Sequence, residues 1–584
     1  MRSITNFVAG LFFSLLFLLP ISAYAAELQP FFTLKTSSVN TLVSVAEKVA
    51  TMADIADDPT FREVVKTAKE VQGFDLNGII GIAAAVNENG SISPILLLPI
   101  TDLWKAEITN FPNIFDSIRP FLERKGAART HINTPLGQTF VALQKQGYLV
   151  ITSEDAVEQL PADPKKLFAD LEKFTLGCKF DLEKVEFETL ETNLFAPMVF
   201  MAAMQNPAMG EQFENMVEMY RALFKEFGMV SYGIAFEPRS ANVEIAYTVV
   251  PRKGSDTAKS FVGQKLQPTI FNGFRGVPSK TIFALGGSST YGKVDVKNNP
   301  MMADSMKQLE AFIEGLVEQV AMEDESGEST ELAHKFVDSI LKIVESEAGK
   351  GANDSALSFN TEGTLLVALD VASLAEIQKF VAMLIDFGSK KIGPTVAALD
   401  IDIKALVKHN YVTIEGFNVS SFNLPMDKLA PFFSGHVEGL KDLTPGVFWA
   451  VKDAGGKQAI AVAAGIDFAK AEQAFKSALE QTKTSAPVQK PIGFLSVQEA
   501  GKFVQQTVYP MVEKARGPDA EIKKVLEIFA SAGNEATVTL DGDLTPEKAE
   551  ISFRISGKTI QAIVSIAKIA AGRTGGFARP AQDF

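Results

Sequence analysis

A strand, a tight polar turn, a second strand and then an amphipathic helix: this order recurs six times in the chain and restricts its fold more than any other feature. The first run is Ile79 to Val86, a turn at Asn87-Glu88-Asn89-Gly90, Ile92 to Leu98, and a helix after Thr101-Asp102. The second is Thr139 to Gln144 with Tyr148 to Thr152 and a short helix from Glu154; the third is Val230 to Phe236 with Val243 to Val250 and a helix near Ser255. Later hairpins span Ser355 to Leu369, Val447 to Ala464 and Glu535 to Ile555, with turns at Asn360 to Gly363, Asp453 to Gly456 and Asp541 to Pro546. Gly, Asn and Asp supply the backbone geometries that such turns require. A lone hairpin buries too little apolar surface to stand in water, so each needs a helix to cover it. The helix expected over Asp467 to Gln481 has the stripe for this, with Phe468, Ala471, Phe475 and Leu479 at helical spacing and charges elsewhere. The expected class is α+β, with repeated hairpin-plus-helix units forming antiparallel sheets covered by helices.

The spacing of the hairpins adds a second expectation. Thr139 and Val447 are 308 residues apart, and Val230 and Glu535 are 305 apart. The second and third hairpins, like the last two, enclose one isolated strand (Thr175 to Asp181; Ile492 to Val497) and then helical sequence (Leu182 to Phe227; Gln498 to Ala532). An internal duplication would produce this pattern. The chain is expected to divide into a signal peptide (1–25), an N-terminal α+β domain (26–295), a helical connector with an acidic loop at Glu323 to Ser329 (296–350), a C-terminal α+β domain (351–572) and a loose tail (573–584). Within the first domain, Ser38 to Gln72 reads as a helical hairpin, with Asp57-Asp58-Pro59 starting its second helix and Gly73 ending it.

Arg2, the apolar run Phe7 to Leu19, Pro20 and the small residues Ala23 and Ala25 make a secretory signal, with cleavage expected after Ala25. No cysteine stands there to accept a lipid, since Cys178 is the chain's one cysteine. It sits in an apolar run and is expected to be a small core residue. The apolar stretches Ile79 to Val86 and Leu194 to Met204 are too short to cross a bilayer. The expected location is therefore extracytoplasmic, periplasmic or secreted, with the mature chain soluble. A net charge of −14, from 70 acidic against 56 basic residues with no Lys/Arg cluster, argues against nucleic acid as a partner.

Local signatures of chemistry are missing from the sequence. The four histidines, His131, His334, His409 and His436, lie too far apart for a metal pair of the HExxH kind, and no GxSxG elbow occurs. Gly287 to Lys293 matches seven positions of a phosphate-binding loop, but Val294 replaces the hydroxyl that would hold Mg²⁺, which favours a flexible connection. Catalytic, cofactor-binding and metal-binding residues are therefore not assigned. Met198, Met201 and Met204, with Phe213 nearby, suggest core packing or a pliable apolar groove rather than thioether ligands for copper.

Three stretches, Ser38 to Thr60, Leu98-Pro99-Ile100-Thr101-Asp102-Leu103 and Ile151 to Pro164, together with Val249-Val250-Pro251, resemble the long exported proteins abundant in planctomycete-type bacteria. The resemblance covers most of the first half. It implies export and the fold class, and no activity or site residues. The functional expectation is a non-enzymatic envelope protein that binds or scaffolds an unidentified partner. A carrier of an apolar ligand such as a lipid, and an unrecognised hydrolase, stand as alternatives.

Overall fold

The structure is a computed structural model that describes residues 28–52, 56–86, 90–101, 129–133, 139–276, 280–293, 328–383, 401, 406–429, 443–454 and 457–573. The expected signal segment with Ala23 and Ala25, the first part of the acidic loop and the expected tail from 574 onward lie outside these residues. The chain forms two compact units, 1–258 with 547–557, and 259–546 with 558–584. Both mix helices with antiparallel strands, as the hairpin pattern requires.

The first unit contains β1 (Pro30–Thr36), β2 (Ile80–Val86), β3 (Ile92–Pro99), β4 (Arg129–Asn133), β5 (Thr139–Lys145), β6 (Tyr148–Ser153), β7 (Leu176–Asp181), β8 (Phe227–Phe236) and β9 (Val243–Pro251). A late strand, Ala549–Ile555, is labelled β20 because ten strands of the second unit precede it. The strands lie in the order β4-β5-β6-β3-β2-β1-β7-β8-β9-β20, every pair antiparallel. The helical hairpin appears as α1 (Val39–Met52) and α2 (Pro59–Lys69). Asp58 caps α2 by accepting from the Thr60 and Phe61 backbone N–H groups, and Gly73 has φ +80°.

A row of small residues explains how this sheet is covered on one side. Gly81, Lys35, Gly177, Gly233 and Ala246 are successive cross-strand partners on β2, β1, β7, β8 and β9. Over them runs the 3-10 segment Pro164–Leu171 and its continuation to Phe174. A Cβ added to Gly81 would come within 2.4 Å of the Phe168 ring, and one at Gly233 within 2.2 Å of the Phe174 ring. The missing side chains are thus the space that the two rings fill. Lys35 is buried in the middle of this row, where its ammonium donates to the carbonyls of Leu171 (3.2 Å), Glu172 (3.1 Å) and Phe174 (2.9 Å). A cation at the end of a helical segment donates to its last carbonyls, whose backbone partners are incomplete there. Its desolvation lowers the lysine pKa.

The opposite side of β1, β2, β3, β5 and β6 is covered by helices drawn from between β7 and β8. These are α3 (Phe187–Leu190), a π turn at Glu191–Phe195, α4 (Ala196–Gln205) and α5 (Pro207–Glu226). Phe187, Leu190, Val217 and Phe224 pack with Phe32, Ile82, Ala84, Phe140 and Ile151 in one core.

The second unit contains β10 (Lys265–Leu266), β11 (Thr281–Thr290), β12 (Ala352–Asn360), β13 (Thr364–Val371), β14 (Val407–Ile414), β15 (Phe417–Asn423), β16 (Gly446–Ala454), β17 (Lys457–Gly465), β18 (Gly493–Ser496) and β19 (Thr537–Leu544). The order is β14-β15-β16-β17-β13-β12-β11-β18-β19, antiparallel, with β10 on the far end of β11. Its helices include α6 (Glu328–Ala348), α7 (Phe468–Glu480), α8 (Val497–Phe503), α9 (Tyr509–Arg516) and α10 (Ala520–Ala530), with a π turn at Val504–Val508 between α8 and α9. Ala450, Ala461, Ala368, Ala356 and Gly286 form its row of small residues. Phe475 of α7 is fully buried in the core on that side, with Phe274 and Phe448.

Two expectations are placed differently by the structure. The compact units divide at 258/259 rather than at 295/296, because β11 pairs with β12 from Thr281↔Asn360 to Thr290↔Ala352 and so belongs with the later strands. Gly287 to Thr290, expected in a flexible connection, are strand residues held by β12 and, at Ser289 and Thr290, by β10. Backbone groups committed to a sheet ladder cannot cradle a phosphate.

Candidate functional site: an open apolar sheet face

Side chains alternate along a strand, so the glycine row of the first unit has a counterpart face. On β7, β8, β9 and β20 that face is built from four triplets. They are Leu176, Cys178 and Phe180; Ile234, Tyr232 and Val230; Ile245, Tyr247 and Val249; and Phe553, Ile551 and Ala549. The register sets them in three rows across the strands, such as Cys178–Tyr232–Tyr247–Ile551. All twelve side chains lack a formal charge and none is fully buried. Tyr247 is 44% exposed and Phe553 47%, and Leu176, Phe180, Tyr232 and Ile551 also rank as exposed. Phe180 stacks obliquely on Phe32 (centroids 4.9 Å), so the open face runs on without a break from the covered core.

The charges of these strands stand on the other side. Glu244 pairs with Arg554 (2.8 Å), Glu550 with Lys173 (3.2 Å), and Lys179 with Asp170 (2.5 Å). A sheet with one solvated face ordinarily turns charged and polar residues to water and apolar ones to a core. Here the small residues and the ion pairs share one face, and the other is apolar and, among the described residues, uncovered. Contiguous exposed apolar surface is uncommon on folded chains and makes this face the candidate site.

The second unit repeats the arrangement on a smaller scale. Opposite its small-residue row, Trp449, Val462, Val367, Leu357 and Leu285 are successive partners on β16, β17, β13, β12 and β11, and none is fully buried. The Phe503 ring of α8 meets Phe359 edge-on (5.1 Å) at one margin of this face.

Cys178 belongs to the open face of the first unit, between Leu34 of β1 and Tyr232 of β8. Burial pushes its thiol up to about 11, so the nucleophilic thiolate is scarce near neutrality. Native protein at pH 8 is expected to react with iodoacetamide far more slowly than urea-unfolded protein; equal rates would show that the thiol is open.

The other candidate residues scatter. Met198 and Phe213 are half-buried, while Met204 is 74% exposed on the outer side of α4. The side chain of Met201 lies outside the described residues. His131 pairs with Glu154 (2.7 Å) on the surface, His409 faces Trp449 edge-on, and His436 lies outside the described residues. Among the described residues, no three His, Cys, Asp or Glu side chains converge to hold a metal. No described helix is long and apolar enough to cross a membrane.

No family model, curated protein or solved structure matches this chain.

Proposed function

We propose that this is a non-enzymatic binding protein whose open sheet faces hold an apolar ligand, with acyl chains as the fitting class. The observation that carries this is the uncharged twelve-residue face on β7, β8, β9 and β20. Covering it with hydrocarbon removes apolar surface from water at roughly 25 cal/mol per Å². A long flexible chain can follow a pleated surface that offers no directional polar contacts. Native mass spectrometry after mild purification is expected to find a retained apolar ligand, and a fluorescent fatty acid should bind the stripped protein. A bare mass together with no fatty-acid binding would sink the proposal.

A second reading, attachment of a protein partner, is favoured by Tyr232 and Tyr247, which oppose each other at the centre of the face. Tyrosine is enriched in protein interfaces. We also infer an internal duplication and an exported location. In support of the duplication, β6-β3-β2-β1-β7-β8 in one unit has the same connectivity as β17-β13-β12-β11-β18-β19 in the other. In both, a helical run containing one π turn links the last two strands of that order. Export rests on the leader sequence alone.

A further inference from the structure

We propose that the helical hairpin of α4 and α5 is a tip that inserts into the surface of a lipid bilayer with neutral headgroups. From Ala196 to Gly210 the chain carries no acidic, basic or histidine residue. The start of α4 is anchored, since Phe195 at the end of the preceding π turn and Val199 of α4 pack against the core of the first unit. The other side presents Phe200 (65% exposed) and Met204 at i and i+4, and Met209 is exposed just beyond the turn. The two helices meet at backbone distance: a Cβ on Gly210 would lie 2.7 Å from the Ala203 Cβ. The result is a thin blade with an apolar outer edge.

The size and charge of the blade select the occupant. Ten residues of α4 rise about 15 Å, half of a bilayer's hydrocarbon core, so the blade can enter the interface without spanning. Interfacial helices bury their apolar face about 5–10 Å deep. Helices drawn to anionic lipid carry Lys and Arg on the polar face, but α5 carries Glu211, Glu214 and Glu218 before its first basic residue, Arg221. With a net charge of −14, the chain is suited to zwitterionic surfaces and is repelled by anionic ones. Contact with the bilayer would place the protein where acyl chains are found, but the tip does not depend on the sheet face being a lipid site.

Flotation with phosphatidylcholine vesicles tests it. The full-length mature protein is expected to float with the vesicles equally at low and high salt, and to float less as phosphatidylserine is added. Phe200→Glu with Met204→Glu should reduce flotation at least about tenfold, given two exposed apolar side chains lost from the inserted edge. Its unfolding midpoint should stay unchanged because neither side chain is buried. Phe200→Trp should show a blue-shifted emission with vesicles. Wild-type protein that stays at the bottom, equal flotation of the double variant, or a requirement for anionic lipid would overturn the proposal. So would self-association in vesicle-free buffer that the double variant abolishes, which would identify the edge as a protein contact. Fatty-acid binding in solution, read separately on the double variant, distinguishes failure of the tip from failure of the sheet face.

Discussion

Tyr247→Asp is expected to weaken fatty-acid binding by at least about tenfold while Tyr247→Phe binds almost as well as the parent. Tyr247 stands between Tyr232 and Ile551 in the middle row of the open face, so a ligand lying across β8, β9 and β20 must cover it. A carboxylate there would have to leave water for hydrocarbon, which costs several kcal/mol unless the ligand is displaced, and 1.4 kcal/mol already corresponds to a factor of ten. Because the side chain is 44% exposed in the unliganded protein, the same substitution should shift the unfolding midpoint little. Titration with a fluorescent fatty acid reads the first effect and urea unfolding the second. Unchanged affinity in the aspartate variant would remove this face from consideration.

Lys35→Met is expected to destabilise the first unit by about 2–4 kcal/mol, although it replaces a buried charge with an apolar side chain of similar length. Swapping a buried polar group for hydrocarbon is tolerated when both partners go, but here three carbonyl oxygens would remain at the end of Pro164–Leu171 and its continuation. Two have other donors, since Leu171 O accepts from the Phe174 N–H and Phe174 O from the Ser37 hydroxyl, which keeps the cost below the sum of three orphaned groups. Urea unfolding followed by the exchange of amides in β1 and β7 reports the change. An unaltered midpoint would mean that water replaces the ammonium at no cost.

Lys35 also illustrates what the sequence shows and what it conceals. In Phe31-Phe32-Thr33-Leu34-Lys35-Thr36 the alternation is readable, but a lysine would be assigned to solvent, and its burial depends on a segment more than 130 residues away. Hairpins with Asn, Asp and Gly turns were legible because local backbone chemistry specifies them. The β14–β15 hairpin was not, since its turn is Glu415-Gly416, both at positive φ (+49° and +82°), and glutamate is unusual at such a position. β1 lacks a hairpin partner adjacent in sequence, so no turn announces it. The candidate site was half legible. Its triplets, such as Val230-Tyr232-Ile234 and Ile245-Tyr247-Val249, show the period of two, and the intervening Gly177, Gly233 and Ala246 hint that something approaches closely on the reverse side. Which face would be left uncovered depends on how far α3, α4 and α5 reach over the sheet, and no local pattern encodes that reach. The Met198 to Met204 run read as core packing or an apolar groove, and the exposure of Phe200 and Met204 departs from core packing.

The position of β20 bears on how the protein is made. β9 ends at Pro251 and its neighbour β20 begins at Ala549, so the ribosome must add nearly three hundred further residues before the first sheet can acquire its last strand. Until then the edge of β9 offers unpaired N–H and C=O groups beside Tyr247 and Ile245, the kind of edge to which other nascent chains adhere. The first unit therefore remains vulnerable until the chain beyond the second has arrived, and a chain stopped short of residue 549 would keep an unpaired edge.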